Sequence, residues 1–447
     1  MKTTTIVAAA TAMVAQPIGI IRLSGPLSLQ IAKKITKKLR ISVRMAHFTN
    51  IFDGSVMLDH AVLLYFKAPF SFTGEDVVEF QTHGNPYVKE RIIELCLAQG
   101  AQMARPGEFS ERAFHNGKMS LDQVEAVADL IHANSFQAAK SAALSLDGAL
   151  KNTVSRLQRE LMALRVLVEA SIDFSEEDIP TITQDALGVS LDRIKQEMRT
   201  LLYTAKRGAK LQKGIKVALV GEPNVGKSTL MNAICQQDVS IVTDEAGTTR
   251  DIVCREVFHK GVCLSFSDTA GIRDTESVAE SMGIERSYRA LEASDIVLHV
   301  VEAIVPTKSH HALAMPFQQA GGEEGSAPPV WKVLNKIDLV GSLQKQSEIK
   351  VFAVSAKTQE GVVLLLDAIV DYFKLGEHQE TPFSARVRQV DIINRVVLAL
   401  ESTTVETPLE MMAQDLREMQ DILSEITGEV TNDDVLASLF SDFCIGK

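Results

Sequence analysis

Apolar and polar positions along this chain follow two periods, and the dominant period changes three times. Up to about residue 118, short apolar runs at 6–10, 18–23, 61–65 and 76–81 have the length of strands. Between them, 29–39 and 85–99 repeat apolar residues every three to four positions, as helices do, and Gly100 closes the second. This first part is expected to be mixed α/β. From residue 120 to about 213 the helical period takes over. Leu157, Leu161, Leu164 and Val168 fall on one helix face, and Leu191, Ile194, Met198, Leu201 and Ala205 on another. An acidic stretch ending in proline, 173–180, separates the two helices. Long helices of this kind predict a bundle.

From 215 to 373 strand and helix signals alternate. Runs at 215–220, 262–266, 296–301, 330–334 and 351–354 predict strands, and 229–235 opens a helix. This is the pattern of a doubly wound α/β domain. The Gly- and Pro-rich segment 321–329 reads as a surface loop. After Gly376 the chain returns to helix, at 391–400 and 409–427. The α/β domain is therefore expected to be inserted between helices of one bundle. No internal repeat is evident.

Composition narrows the class without naming a function. The 447 residues are 46% apolar and 23% charged, which suits two to four globular domains. A formal net charge of −11 excludes nucleic-acid binding through overall charge, so any such contact needs a local basic patch. Lys33, Lys34, Lys37 and Lys38, followed by Arg40 and Arg44, form one cluster; a solvated helix face explains it better than an RNA-binding patch. The five cysteines (Cys96, Cys235, Cys254, Cys263, Cys444) form no C-x-x-C pair, which points away from a disulfide framework or zinc knuckle and toward a reducing cytoplasm. The first residues have the outline of a weak export signal, but Thr11 breaks the apolar stretch and a second strand-like run containing Arg22 follows. A strand–loop–strand start is expected instead. No apolar run approaches the ~20 residues of a membrane span.

The chemistry centres on Gly221-Glu222-Pro223-Asn224-Val225-Gly226-Lys227-Ser228, followed by Thr229. It fits G-x-x-x-x-G-K-[ST] and lies between a predicted strand and a predicted helix, where backbone N–H groups and the helix dipole converge on one point. Lys227 is expected at the β/γ-phosphates of a nucleotide, and the Ser228 hydroxyl on Mg²⁺. Asp268-Thr269-Ala270-Gly271 follows a later strand at the distance needed to meet Mg²⁺ through water and the γ-phosphate through the glycine N–H. Asn335-Lys336-Ile337-Asp338 ends another strand. There the Asp338 carboxylate can accept both N1–H and N2–H of guanine, donors that adenine lacks. Ser355-Ala356-Lys357 closes the base pocket. Four such motifs in this order predict a guanine-nucleotide domain.

Hydrolysis needs a positioned water. Where Ras-like proteins carry a water-orienting glutamine, after Asp-Thr-Ala-Gly, this chain has Ile272. Spacing alone does not choose a substitute among Asp274, Glu276, Glu280 and Glu285. In the loop Thr243-Asp244-Glu245-Ala246-Gly247-Thr248-Thr249, a threonine is expected to complete the Mg²⁺ shell and sense the γ-phosphate, a role that suits Thr249.

The Gly-Thr-Thr-Arg-Asp loop at 247–251, Ile272, Gly283-Ile284-Glu285-Arg286, the run Arg105-Pro106-Gly107-Glu108-Phe109-Ser110-Glu111-Arg112-Ala113-Phe114 and the ending Phe443-Cys444-Ile445-Gly446-Lys447 together resemble the MnmE (TrmE) family of tRNA modification GTPases. The resemblance spans nearly the whole chain. It implies a Ras-like G domain inserted into a helical bundle and preceded by an α+β tetrahydrofolate-binding domain. It implies a K⁺ site at Asn224, Thr243, Glu245 and Thr248, with the cation acting as an arginine finger does. Glu245 stands where relatives often carry an apolar residue, but the expected ligand there is a backbone carbonyl. Glu280 matches the family's general base. Arg22, Glu79, Lys118 and Lys447 match the positions that bind 5-formyltetrahydrofolate or a related tetrahydrofolate. An Arg and a Lys suit its carboxylates, and a Glu suits its pterin N–H donors. Residues 12–17 depart from the family's usual loop before this Arg. Gly446 and Lys447 fit a prenylation signal poorly. The resemblance instead sends the Cys444 thiol toward the folate pocket, as a catalytic group or as a packed, inert one.

The same resemblance implies a homodimer, an FAD-containing MnmG-type partner in a heterotetramer or larger complex, tRNA as substrate, no membrane and a cytoplasmic location. The expected domains are 1–118 (folate binding and dimerisation), 119–213 (helical, first part), 214–376 (G domain) and 377–447 (helical, second part). Two other functions share some of these features. A ribosome-assembly or other RNA-associated regulatory GTPase shares the nucleotide motifs, but is expected to carry a basic RNA-binding module after the G domain. A folate enzyme with an appended regulatory G domain is the other.

Overall fold

A computed structural model describes residues 4–173, 183–236, 254–268, 294–303, 328–340, 350–375 and 382–428, together with Leu436, Leu439, Phe440, Phe443 and Gly446. The chain divides into two compact units. The first comprises 1–128, 146–191 and 399–447; the second comprises 129–145 and 192–398.

The first unit is built on a six-stranded sheet in the order β3-β4-β5-β2-β1-β6. Its strands are β1 (Ile6–Ala9), β2 (Gln16–Ser24), β3 (His47–Asp53), β4 (Val56–Phe66), β5 (Val77–Gly84) and β6 (Gln102–Met103). All neighbours pair antiparallel except β1 and β6. In β4, Ala61, Leu63 and Tyr65 are buried while their neighbours are less so, the alternation of a sheet with one covered face. The cover is α1 (Ser28–Thr36) and α2 (Pro86–Ala98), which bury Ile31, Ala32, Ile35, Ile92, Ile93 and Cys96 against Ile21, Leu23, Leu63 and Phe80. Asn85 caps α2, its side chain accepting from the Tyr87 and Val88 amides, with Pro86 at the first helical position. The helix α1 stops at Thr36 rather than running to 39, because Lys37 turns left-handed with φ 55° and Leu39 is 86% exposed, leaving that turn nothing to bury. The strands β3 and β6 were not foreseen in the pattern.

After α3 (Glu108–His115), α4 (Leu121–Ile131) and α5 (Phe136–Leu146) comes the long α6 (Ala149–Asp173). The foreseen stripe Leu157, Leu161, Leu164 and Val168 is buried. Its partner in this unit is the chain's last long helix, Leu409–Thr427, whose Met412, Leu416, Met419 and Leu423 are buried. Gln158 donates to Ser424 Oγ (3.1 Å) and Arg165 to Gln420 Oε1 (2.7 Å), an antiparallel pairing. Leu436, Phe440 and Phe443 pack on Leu121 and Val124 of α4, which ties this last stretch to the start of the helical segment.

The helix α7 (Gln184–Lys213) leads into the second sheet. The strands there are β7 (Ile215–Val220), β8 (Cys254–His259), β9 (Val262–Asp268), β10 (Ile296–Glu302), β11 (Val330–Asn335) and β12 (Val351–Ala353). Their order is β12-β11-β10-β7-β9-β8. Five strands are parallel, and the unforeseen β8 pairs antiparallel with β9 at one edge. The helices α8 (Lys227–Gln236) and α9 (Val362–Tyr372) cover it, burying Leu230, Ile234, Leu365, Leu366 and Ile369 with Val217, Leu219, Phe266 and Leu298. From β7 the chain moves to β9 on one side, then returns to β10 on the other. The strand order therefore reverses beside β7, the place where doubly wound sheets bind ligands. The helix α10 (Val387–Ser402) precedes the last, α11 (Leu409–Thr427).

Candidate guanine-nucleotide site

The phosphate loop leaves β7 at this switch point and enters α8 at Lys227. Two glycines are fixed by close approach. A Cβ on Gly221 would lie 2.3 Å from the Val300 carbonyl oxygen. Gly226 has φ 92°, and a Cβ there would lie 2.5 Å from the Asn335 carboxamide nitrogen. Lys227 is only 6% exposed; its ammonium donates to the carbonyls of Gly221 (2.9 Å) and Glu222 (2.8 Å), which aims it over the loop. Ser228 and Thr229 follow, exposed, in the first turn of α8. Asn224 is exposed with φ 65°.

The base side is organised by Asn335, the last residue of β11 and 1% exposed. Its Nδ2 donates to the Val225 carbonyl (3.0 Å) and its Oδ1 accepts from the Ala356 amide (3.0 Å). One buried carboxamide thus ties the phosphate loop to the Ser355-Ala356-Lys357 segment, with both of its functions satisfied. Lys336, at φ 66°, donates to the Asn224 carbonyl (2.9 Å) and pairs with Glu302. Asp338 is exposed, and its Oδ1 accepts from the buried Ser355 hydroxyl at 2.7 Å. Ser355 Oγ in turn accepts from the Thr358 amide (3.1 Å). This fixes the carboxylate orientation before any base arrives.

The structure therefore brings Asn224, Val225, Gly226, Lys227, Ser228, Thr229, Asn335, Lys336, Asp338, Ser355, Ala356 and Lys357 into the strand-end region of one sheet. The backbone of Asp268 ends β9, in register with Leu219 of β7 and so beside the loop. Thr243, Asp244, Glu245, Ala246, Gly247, Thr248, Thr249, Thr269, Ala270, Gly271 and Glu280 lie outside the described residues. Sequence reasoning missed Glu302. The signal available was an acid directly after a predicted strand, and the register that sets Glu302 beside Asn335 explains its use.

In the first unit, Arg22 and Glu79 face each other across β2 and β5 and form an ion pair, Nε to Oε1 at 2.9 Å. The guanidinium lies over the rings of Phe72 (5.6 Å) and Phe109 (5.8 Å). Lys118 is exposed and reaches Phe70 at 6.0 Å, on the same 67–76 segment that supplies Phe72. Gly446, with φ 100°, approaches Ala9 so closely that a Cβ would lie 2.2 Å from the Ala9 carbonyl oxygen. The chain end is thereby held at β1, the strand paired with β2. Cys444 and Lys447 lie outside the described residues. Arg22 and Glu79 pair with each other, which the sequence did not reveal.

Two family models match the chain: one described as the MnmE helical domain over residues 121–444, and one as the GTP-binding protein TrmE N-terminus over residues 5–118. The chain is 43% identical over 449 residues to the tRNA modification GTPase MnmE of Chromobacterium violaceum, covering 99% of this chain and 98% of that one. It is 42% identical over 454 residues to the protein of the same name from Pseudomonas fluorescens, covering 99% of each. Among solved structures, the crystal structure of the G domain of the T. maritima FeoB iron transporter is similar at 27% identity and a TM-score of 0.26. It covers 35% of this chain and 98% of that one.

Proposed function

The chain belongs to the MnmE (TrmE) family of tRNA modification GTPases, and from that premise we propose that it hydrolyses GTP to drive the modification of a tRNA wobble uridine. The group added at C5 is an aminomethyl or carboxymethylaminomethyl group, its one-carbon unit comes from a tetrahydrofolate, and an FAD-containing MnmG-type protein is the partner. In this reading residues 1–118 bind folate and dimerise, 214–376 form the G domain, and 119–213 with 377–447 form the helical domain. The family reading implies work in the cytoplasm. Separately, no described helix is long and apolar enough to cross a membrane.

The observation that carries the guanine assignment is the prearranged Asp338 carboxylate, held by Ser355 beside the buried Asn335. With Oδ1 anchored, the carboxylate is set to accept the two N–H donors that distinguish guanine. Ser228 suits a Mg²⁺ ligand, being an exposed hydroxyl in the first turn of the helix, and Thr249 would supply a second. Asn224 suits a K⁺ ligand: its side chain is exposed and makes no hydrogen bond among the described residues, while its carbonyl is tied to Lys336. Thr243, Glu245 and Thr248 would complete that site. When bound, these cations supply positive charge against the phosphates. Glu280 would hold the attacking water and take its proton. Arg22, Glu79, Lys118 and Lys447 would hold the folate, with Cys444 near its reacting end.

The test is nucleoside analysis of tRNA from cells lacking the protein, complemented by the wild type or Glu280→Ala. Loss of the modified wobble uridine, restored by wild type and not by the variant, is expected. Unchanged uridine in the deletion strain would overturn the reading in favour of a ribosome-assembly factor. In the same series, purified wild type should hydrolyse GTP much faster in K⁺ than in Na⁺, and Glu280→Ala should retain GTP affinity while losing turnover.

A further inference from the structure

Away from the nucleotide loop, the second unit contains a cleft of about 340 Å³. Its described lining includes Lys206, Lys210 and Lys213 of α7, Lys216 of β7, Asp295, and Val390 of α10. Lys216 is near the start of β7 and the phosphate loop follows its end, so the cleft lies at the opposite end of the parallel strands, about 16 Å along β7. Gly208 permits the close packing that shapes one wall: a Cβ there would lie 2.6 Å from the Phe383 carbonyl oxygen, just before α10.

The charge of this cleft is unusual for the chain. From Met198 to Gly221 no Asp or Glu occurs, in a protein of net charge −11. Lys206, Lys210 and Lys213 recur at the i, i+4, i+7 spacing that puts them on one helix face. Among these lysines and the described residues, only Lys210 is neutralised: it pairs with Asp295, whose other oxygen accepts the Lys216 amide at 2.8 Å. Lys206, Lys213 and Lys216 are exposed and make no ion pair among the described residues. Three lysines without an ion-pair partner among the described residues line one cleft, and each would attract an anion placed there. The lysines of α7 extend over about 10 Å, a length along which a nucleic-acid backbone presents several phosphates. Point charges on flexible stems suit phosphate oxygens without reading bases.

We infer that this lysine cleft binds the phosphate backbone of RNA, and that the tRNA proposed above as substrate is held there. The inference rests on the tRNA reading and adds the surface that reading lacks. A chain this acidic needs a local basic patch to hold RNA, and these lysines form one. The cluster at Lys33, Lys34, Lys37 and Lys38 is less available: Lys34 donates to Gln99 and Lys37 lies over the Phe52 ring at 4.2 Å.

The experiment compares the full-length protein with a Lys206→Ala/Lys213→Ala/Lys216→Ala variant, using an unmodified tRNA transcript as probe across a range of salt. Each phosphate contact contributes a salt slope of about 0.7–0.9, so the variant should flatten the slope by roughly 2 to 3 and bind at least about tenfold more weakly at low salt. The corresponding triple arginine variant should restore both. GTP affinity and thermal midpoint should match the wild type, which separates loss of charge from loss of fold. Unchanged tRNA affinity and slope in the alanine variant would overturn the inference while leaving the tRNA reading intact, as expected if the cleft met free phosphate or an acidic protein instead. Wild-type protein that binds no tRNA would overturn the inference, while the nucleoside analysis still decides the function.

Discussion

In the sheet of the second unit, the nucleotide residues stand at the carboxyl ends of parallel strands; in the sheet of the first, Arg22 and Glu79 stand within an antiparallel pair. At the parallel strand ends, backbone does much of the binding work. Amides of the phosphate loop and α8 converge there, and Asn335 and Ser355 lock neighbouring segments through main-chain bonds. On the antiparallel pair, the proposed folate binding would depend on side chains that meet only because the register sets residue 22 opposite residue 79. The first kind of site is a set of contiguous motifs; the second is a coincidence of strands far apart in sequence.

The largest test of this contrast is Asp338→Asn. The amide replacing the carboxylate presents a donor where guanine also presents donors, while Ser355 still anchors the side chain. GTP affinity should fall on the order of 10⁴-fold, with xanthosine triphosphate gaining correspondingly. The fold and the Arg22–Glu79 pair should be untouched. Titration of both nucleotides measures it. Equal loss of both would mean that Asp338 supports the loop rather than reads the base.

Arg22→Ala probes the other sheet. It leaves the Glu79 carboxylate, largely buried, without its partner, at a cost of about 1–3 kcal/mol in stability. If the pair also faces folate, 5-formyltetrahydrofolate binding should weaken about tenfold or more, equivalent to about 1.4 kcal/mol, with GTP affinity unchanged. Thermal melts and folate titration on the same sample separate the two effects. A variant that loses stability yet binds folate as tightly as wild type would make the pair purely structural.

This contrast also explains what could be read from the chain alone. The phosphate loop, Asn335 to Asp338 and Ser355 to Lys357 were legible because each is one unbroken segment ending a strand or starting a helix. The pairing of Arg22 with Glu79 was not, since register cannot be read from either strand alone, and both residues came from family resemblance. The edge strand β3 was missed for a related reason. Of His47–Asp53 only Ile51 is buried, so its apolar pattern is too thin to signal a strand. The lysines at 33–38 are crowded in sequence, whereas those at 206–216 are widely spaced and gather on one face only through helical periodicity.

The smallest effect concerns one buried polar group of the first unit, set against those around the nucleotide loop. Around the nucleotide loop, Asn335, Ser355 and Lys227 are buried with partners. In the first unit, Asp122 of α4 is 2% exposed and neither carboxylate oxygen makes a hydrogen bond of good geometry. Burial raises its pKa above the ordinary carboxylate value, with the nearby Glu125 charge adding to the shift. The folded state therefore holds this proton more tightly than the unfolded chain does. Its stabilising contribution is complete below the unfolded pKa of about 3.9 and is lost as pH rises through the folded value. Asp122→Asn carries no charge to bury. It should match or slightly trail the wild type at acid pH and exceed it by about 1 kcal/mol at neutral pH. Denaturant melts across that range test the sign. A variant that is less stable than wild type at neutral pH would show that the carboxylate is paired, as the buried groups around the nucleotide loop are.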